Sequence, residues 1–126
     1  MKYHIDSVIL AEQSLLGALM QEPEKLVEVK AAVDVEDFYD EKNKDIYNAI
    51  LRLDEAGIIP DTTTIFEEIN NSGAFKSMDA SLYIVELYDI TPSTRNIMHY
   101  ANLVKRYSIY REIRSALLSS TEEMNQ

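Results

Sequence analysis

Apolar residues recur every three or four positions along most of the chain, which is the spacing of one face of an α-helix. The pattern predicts five short helices, which run over residues 7–21, 24–33, 41–56, 62–72 and 79–88. The last of these segments could also form a strand, but a lone strand has no partner to pair with, so a helix is favoured. The predicted inward-facing side chains are Ala11, Leu15, Leu16, Leu19, Ile46, Tyr47, Ile50, Leu53, Ile65, Phe66 and Ile69.

Glycine and proline mark the boundaries of the predicted helices. Pro23 lies where a helix opens, and Gly57 and Gly73 lie where helices end, which is the usual placement of these residues. Gly17 instead lies inside the first helix, which predicts a close contact with another helix at that point. The adjacent aromatic residues Phe38 and Tyr39 are predicted to plug the core at a bend.

The last part of the chain is predicted to form one long helix. Thr91 and Pro92 have the pattern of an N-cap followed by proline at the first helical position, and neither glycine nor proline follows them. A helix of about 27 residues spans roughly 40 Å, whereas a compact domain of this length has a diameter of about 36 Å. We therefore expect the helix to overhang the body of the domain.

The apolar pattern of this helix changes along its length. A broad face, suited to docking on a globular body, is formed by Ile97, Tyr100, Ala101, Leu103 and Val104. A narrower stripe, of the kind that one helix presents to another, consists of Tyr100, Leu103, Tyr107, Tyr110, Ile113 and Leu117. The basic side chains around this stripe are Arg95, Lys105, Arg106, Arg111 and Arg114. Either the helix closes the domain's own core or the stripe contacts another protein, and the overhang favours the second interpretation.

These patterns together predict an all-α fold in a single domain. Its body would be a compact bundle of about five short helices over residues 1–92, and one long protruding helix would follow over residues 93–126. The body is not expected to cover the stripe from Tyr107 onward. The predicted protein-interface residues are Tyr100, Leu103, Tyr107, Tyr110, Arg111, Ile113, Arg114 and Leu117.

Composition and charge narrow the possible functions. The chain has 126 residues, enough for one core, and it has no cysteine, which excludes disulfides and thiolate chemistry. We expect a cytoplasmic protein without membrane contact, because no apolar run approaches the roughly 18 residues of a membrane span and the first residues lack a signal-peptide pattern. Residues 1–92 carry 19 acidic and 7 basic side chains, a net charge of −12, whereas residues 93–126 carry 3 and 5, a net charge of +2.

The sequence contains no pattern for catalysis or for binding a metal or cofactor. A P-loop needs glycine immediately before Lys76–Ser77, but Phe75 occupies that position. His4 and His99 lie outside metal-binding spacings, and adjacent acidic residues such as Glu67–Glu68 point in different directions on a helix. We therefore expect that this chain is not an enzyme and that it holds neither a metal nor a cofactor.

The aromatic and basic side chains of the long helix allow two interpretations. Tyr107, Tyr110, Arg111 and Arg114 could stack on single-stranded nucleic acid and neutralise its phosphates. Tyrosine and arginine are also enriched at the centres of protein–protein interfaces. Because the body is acidic, we favour the protein interface and expect little or no direct DNA binding.

Five segments carry a resemblance to a known family. They are residues 11–20 (AEQSLLGALM), 37–50 (DFY…IYNAI), 57–64 (GIIPDTTT), 83–87 (YIVEL) and 91–104 (TPS…NI…YA…V). In this order they are similar to the patterns AEQ-x-[VL]-LG-x-[LM], DFY…IF-x-AI, G-x-PID-x-x-T and YL-x-EL…TPS…NI…YA…IV. These patterns belong to the N-terminal domain of the bacterial hexameric replicative helicases of the DnaB type. The departures are local: a proline displaced by one residue, Asn43 in place of histidine, and Asp79–Ala80 in place of two glycines.

The resemblance implies a scaffold. In that family the N-terminal domains form a collar on the helicase ring, built as a trimer of dimers through helical hairpins. The collar also offers a docking surface to primase and, in some systems, to a helicase loader. By this resemblance, ATP and Mg²⁺ would belong to an attached RecA-like ATPase domain. Gln126 would lie near the end of the first hairpin helix, before the second.

Two functions are consistent with the resemblance. The first is the N-terminal collar domain of a replicative DNA helicase, which mediates oligomerisation and docks primase or a loader during DNA replication. The alternative is a stand-alone regulator, encoded by a phage or plasmid, that mimics the collar and competes for its partners.

Overall fold

The computed structural model describes residues 4–75 and 77–124, and this part of the chain is built from α-helices joined by short loops and 3₁₀ turns. Its α-helices are α1 (Ile5–Gln21), α2 (Leu26–Ala32), α3 (Glu41–Glu55), α4 (Thr62–Ser72), α5 (Ser77–Ile90) and α6 (Ile97–Met124). The described residues contain no strand, so the prediction of an all-α fold with one long final helix is confirmed. Lys76, considered above as half of a P-loop, lies outside the described residues.

Helix α1 lies at the centre of the domain, where it packs mainly against α6 and α5. Leu15 and Leu16 are completely buried, as the helical spacing predicted. Helix α3 contributes a second buried row, and its Tyr47 ring packs against Phe38 with 4.8 Å between the ring centroids. The core is thus a continuous apolar cluster shared by all six helices.

The short helices begin and end close to the predicted positions. Gly57 and Gly73 have positive φ angles of 75° and 69°, the left-handed conformation that ends a helix. Asp61 caps α4, because its side chain accepts a hydrogen bond from the Thr64 backbone N–H. The predicted second helix is divided, since Pro23 opens a 3₁₀ turn, Pro23–Lys25, before α2 begins.

Gly17 makes the close helix contact that its position predicted. A Cβ atom at residue 17 would lie 1.7 Å from Oγ1 of Thr91 and 2.3 Å from the backbone oxygen of Leu87. The absence of a side chain therefore allows α1 to pack against the end of α5.

The long helix begins later than predicted. Thr91 is buried and donates its hydroxyl to the Leu87 oxygen at 2.9 Å, so it completes α5 and does not cap α6. A 3₁₀ turn, Thr94–Asn96, capped by Ser93, intervenes before α6 starts at Ile97. The helix has 28 residues and is about 42 Å long.

The prediction for the aromatic pair holds for one member only. Phe38 is buried, whereas Tyr39 is 47% exposed. Phe38 lies in extended backbone, where consecutive side chains point to opposite sides, so only one of the two can enter the core. Tyr39 instead lies beside Arg111, near the middle of α6.

Within the described residues, no helix is both long and apolar enough to cross a lipid bilayer. The apolar pattern of the long helix α6 is interrupted by charged residues, among them Lys105, Arg106, Arg111, Glu112 and Arg114.

Candidate protein-interaction surface on the long helix

Helix α6 docks on the body through one face that ends near its middle. Ile97, Ala101, Val104 and Ser108, spaced three and four residues apart, are all buried. Every described side chain from Glu112 to Glu122 is exposed. The helix therefore has a docked first half and a projecting segment, residues 112–124, which is about 20 Å long.

The two halves meet at a cluster of polar contacts that we call the neck, formed by Asp37, Tyr39, Lys105, Ser108 and Arg111. Asp37 is 5% exposed and lies in the 3₁₀ turn Val35–Asp37 of the body. The Ser108 hydroxyl donates to Oδ1 of Asp37 at 2.8 Å. Nζ of Lys105 lies 3.3 and 3.2 Å from Oδ1 and Oδ2 of the same carboxylate. These bonds fix the last buried turn of α6 to the body.

Arg111 completes the neck one turn further along the helix. Its Nη2 donates to the backbone oxygen of Asp37 at 2.7 Å, and its guanidinium carbon lies 5.4 Å from the centre of the Tyr39 ring. Its Nη1 is buried without a hydrogen-bond acceptor among the described residues. Arg111 was predicted as an interface residue, but the structure directs it toward the body, because it follows Ser108 by three residues on the docked face.

A buried carboxylate supports the neck from below. Glu12 in α1 is fully buried, and it accepts hydrogen bonds from the backbone N–H groups of Tyr39 at 2.6 Å and Asp40 at 3.2 Å and from Nδ2 of Asn43 at 3.1 Å. The Tyr83 hydroxyl donates in turn to Oδ1 of Asn43. Burial raises the pKa of the Glu12 carboxyl, and the three donors and the Arg111 charge offset that rise only in part.

The stripe predicted on α6 is divided by the neck. Tyr100, Leu103 and Tyr107 are partly buried and pack against the core, and Tyr110 is half-buried. The expectation that the body would not cover Tyr107 was therefore wrong. Asp37 holds Lys105 and Ser108 against the body, so the docked face of α6 continues about one turn beyond the broad apolar face.

The projecting segment exposes the rest of the stripe. Ile113 is 43% exposed and Leu117 is 64% exposed, and Leu118 adds a third large apolar side chain that is 57% exposed. Arg114, also predicted as an interface residue, is exposed between them. Next to the segment lies an open groove of about 570 Å³, lined by Ile5, Tyr39, Arg111, Arg114, Ser115, Leu118, Ser119 and Glu122. This region combines exposed apolar surface with arginine and tyrosine, the residue types enriched at protein interfaces.

Side chains suited to hold a metal ion do not cluster anywhere in the described residues. Apart from Nη1 of Arg111, the buried polar groups that the fold brings together at the neck are bonded to one another. Their arrangement orients a helix and leaves the projecting segment as the candidate functional surface.

Comparisons with known proteins agree with this architecture. The family described as the DnaB-like helicase N-terminal domain matches residues 5–106. The replicative DNA helicase DnaB of Geobacillus stearothermophilus is 32% identical over 105 residues, which are 83% of this chain and 23% of that protein. The replicative DNA helicase DnaC of Bacillus subtilis is 31% identical over the same shares of the two chains. This chain therefore spans about a quarter of the length of these relatives.

Two solved structures share the fold. The N-terminal domain of the DnaB helicase from Mycobacterium tuberculosis is 25% identical, with a TM-score of 0.85 over 90% of this chain and 81% of that one. The corresponding domain from Helicobacter pylori, described together with its interactions with primase, is 20% identical, with a TM-score of 0.82. That similarity covers 99% of this chain and all of the H. pylori chain, so it includes the long helix.

Proposed function

Since the chain belongs to the family of DnaB-like helicase N-terminal domains, we propose that it acts as the collar domain of a replicative DNA helicase. In this role it associates with further copies of itself and docks primase or a helicase loader. The chain then contributes assembly and recruitment, while DNA unwinding belongs to the ATPase domain of a complete helicase.

The observation that carries this proposal is the projecting segment of α6. The described residues of the body leave Ile113 and Leu117 exposed, so these side chains add little to the stability of the domain. Contiguous exposed apolar surface marks interaction sites. Ile113 and Leu117 are four residues apart and therefore lie on one side of the helix. A second α6 packed along this side would bury both residues in each copy, which is the geometry of a two-fold symmetric dimer.

Docking of primase is proposed on a separate ground. The H. pylori domain with this fold was described with its interactions with primase. In this chain the groove beside the projecting segment offers Tyr39, Arg114 and Leu118 as contact residues. We propose that primase or a loader contacts this end of the domain.

Self-association is tested by sedimentation of the 126-residue chain at micromolar to millimolar concentrations. We expect a weak monomer–dimer equilibrium, and we expect Ile113→Ser with Leu117→Ser to leave only monomer. The matched control is Leu82→Ser with Val85→Ser, two residues on α5 that are 63% and 48% exposed. Equal sedimentation of the wild type and both double variants, or a stable hexamer, would contradict the proposal.

We propose further that this chain alone does not hydrolyse ATP. Support comes from the sequence, in which Phe75 occupies the position where a P-loop requires glycine before Lys76–Ser77. Titration with ATP and Mg²⁺ should produce neither heat nor a change in melting temperature. Turnover that depends on Mg²⁺ in the purified chain would show that the assignment to a scaffold is incomplete.

A further inference from the structure

A second exposed apolar feature lies on the body, in the loop between α3 and α4. Ile58 is 46% exposed and Ile59 is 69% exposed. These are two consecutive large aliphatic side chains that the core does not use. They belong to a different part of the chain from α6, so this feature is independent of the function proposed above.

The loop that carries the two isoleucines is held at nearly every residue. The N–H of Gly57 donates to the Asp54 oxygen at 3.0 Å, and the N–H of Ile58 donates to the Leu53 oxygen at 2.9 Å. The oxygen of Ile59 accepts a bond of 2.9 Å from the Thr64 hydroxyl. The backbone therefore fixes the outward position of both side chains, and a partner would meet a surface that is already ordered.

The end of the loop is anchored as firmly. Pro60 is buried, and the N–H of Asp61 donates to Oγ1 of Thr64 at 2.8 Å. Asp61 in turn accepts from the Thr64 N–H at 2.8 Å. Because the loop is already ordered in this way, it loses little conformational entropy when a partner binds.

The loop forms one wall of a cleft of about 410 Å³, which we call the isoleucine cleft. Its lining residues are Pro23, Glu24, Asp54, Gly57, Ile58, Ile59 and Pro60. The cleft therefore combines an apolar surface with two carboxylates at its edge. A volume of this size lies within the range of about 300–1,000 Å³ that is typical of clefts for small organic groups.

The charge at the edge of the cleft is negative. The stretch from Asp54 to Asp61 contains three acidic residues and no basic one. Lys30 binds the Asp54 carboxylate at 2.9 Å, whereas the Glu24 carboxylate forms no ion pair with any described residue. The body around the cleft carries a net charge of −12 over residues 1–92. A partner with basic side chains beside an apolar one would complement both properties.

We propose that the isoleucine cleft is a docking site for a basic, amphipathic segment of a partner protein. An aliphatic side chain of that segment packs between Ile58 and Ile59, and a lysine or arginine next to it pairs with Glu24. Charge complementarity favours such a segment over the acidic body of a second copy of this chain.

The test uses three synthetic peptides of about 14 residues, or roughly four helical turns. One combines lysine and leucine on opposite helical faces, the second replaces lysine with glutamate, and the third replaces leucine with serine. Each is titrated into the ¹⁵N-labelled chain while backbone amide shifts are recorded. We expect saturable shifts at Glu24, Gly57, Ile58 and Ile59 with the lysine–leucine peptide only.

Variants of the cleft decide whether the shifts report docking. Ile58→Ser with Ile59→Ser, and separately Glu24→Lys, should each weaken binding of the lysine–leucine peptide about tenfold or more. The controls are Leu82→Ser and Glu86→Lys on α5, which should bind it as the wild type does. Circular dichroism establishes that each variant is folded before it is titrated.

Three results would overturn the proposal. In the first, the lysine–leucine peptide shifts amides evenly over the acidic body, and the cleft variants bind it as tightly as the controls do. In the second, the glutamate–leucine peptide binds the cleft equally well. In the third, the cleft amides shift on concentrating the chain without peptide, which would make a second copy the occupant. The sedimentation test of the projecting segment can succeed or fail independently of all three.

Discussion

The hydroxyl of Ser108 in α6 donates a hydrogen bond of 2.8 Å to the buried carboxylate of Asp37, which lies 71 residues earlier in the chain. Asp37 also accepts a bond from the Asp34 N–H at 2.8 Å and forms an ion pair with Lys105. One carboxylate thus stabilises its own 3₁₀ turn and holds the long helix against it.

We expect Asp37→Ala to destabilise the fold by roughly 1–3 kcal/mol, because the buried Ser108 hydroxyl would lose its acceptor. The measurement is urea unfolding followed by circular dichroism. The neighbouring Glu36→Ala is the control, since the Glu36 side chain is 86% exposed and its ion pair with Lys44 is long, at 3.8 Å. Its effect should stay within about 0.5 kcal/mol. Equal losses for the two variants would show that the neck does not stabilise the domain.

Gly17→Ala should destabilise the protein, although alanine is the better helix former by about 1 kcal/mol. The added methyl group would collide with Thr91 and with the Leu87 backbone oxygen, which lies 2.3 Å from the position that the new Cβ atom would occupy. Because the second contact is to backbone, Thr91→Ala should not restore the stability of Gly17→Ala. Thermal unfolding of the single and double variants measures this, and a rise in melting temperature for Gly17→Ala would contradict the packing of α1 on α5.

Two leucines at opposite extremes of burial should separate folding from association. Leu16→Ala removes a completely buried side chain and should cost roughly 2–5 kcal/mol. Leu117→Ala, at a residue 64% exposed, should change the free energy of unfolding by less than about 0.5 kcal/mol. Urea unfolding of both variants at a concentration where the chain is monomeric provides the comparison. A loss for Leu117→Ala as large as that for Leu16→Ala would place the projecting segment inside the folding unit.

Tyr107 should behave as a residue of the body. Because it is partly buried and packs against the core, Tyr107→Ala should lower the free energy of unfolding by more than Ile113→Ala does. The comparison again uses urea unfolding of monomeric protein. If Tyr107→Ala left stability unchanged and abolished association, the expectation that the body leaves this tyrosine uncovered would be restored.

The helical core could largely be predicted from the sequence, whereas the contacts of the neck could not. Helical spacing placed Leu15, Leu16 and Ile46 in the core, and the structure confirms them. The direction of Arg111 depends on Asp37, a residue 74 positions away whose location only the folded chain determines. A pattern along one helix carries no information about such a distant partner.

Glu12 is a residue that sequence reasoning passed over although a signal was present. It precedes Leu15 and Leu16 by three and four residues, so the helical period alone places it on the inward face. Its charge argued against burial, because an isolated buried carboxylate is costly. The structure supplies the donors that make the burial possible, and two of them are backbone N–H groups, which no side-chain pattern reveals.

The burial of Glu12 predicts a pH dependence with a definite sign. Its pKa is raised in the folded protein by desolvation, so the proton is held more tightly in the folded than in the unfolded state. The stability that Glu12 contributes is therefore complete below the ordinary glutamate pKa of about 4.3 and is lost as the pH rises through the raised value. The free energy of unfolding of the wild type should therefore fall relative to that of Glu12→Gln as the pH rises through this interval. Parallel curves for the two proteins from about pH 4 to pH 7 would contradict the assignment.

Direct binding to DNA should be weak at physiological salt. The body has a net charge of −12 and repels phosphate, and two of the five basic residues after residue 92, Lys105 and Arg111, are bound at the neck. Fluorescence anisotropy of a labelled single strand should remain flat into the tens of micromolar, roughly where non-specific binding would begin to appear. A tight isotherm that weakens steeply with salt would assign the helix to nucleic acid.

Because α6 is long, a small change of its angle at the neck produces a large displacement at its far end. The segment beyond Arg111 extends about 20 Å, so a tilt of about 10° at the neck would displace its tip by about 3.5 Å. Such a displacement is comparable with the distance between neighbouring side chains in a helix–helix contact, and it is large enough to change which of them meet. A small displacement at Asp37 would therefore be magnified at Leu117, where we propose that two copies align. Substitutions at the neck that are too mild to unfold the body should therefore still disturb the alignment of two associated copies.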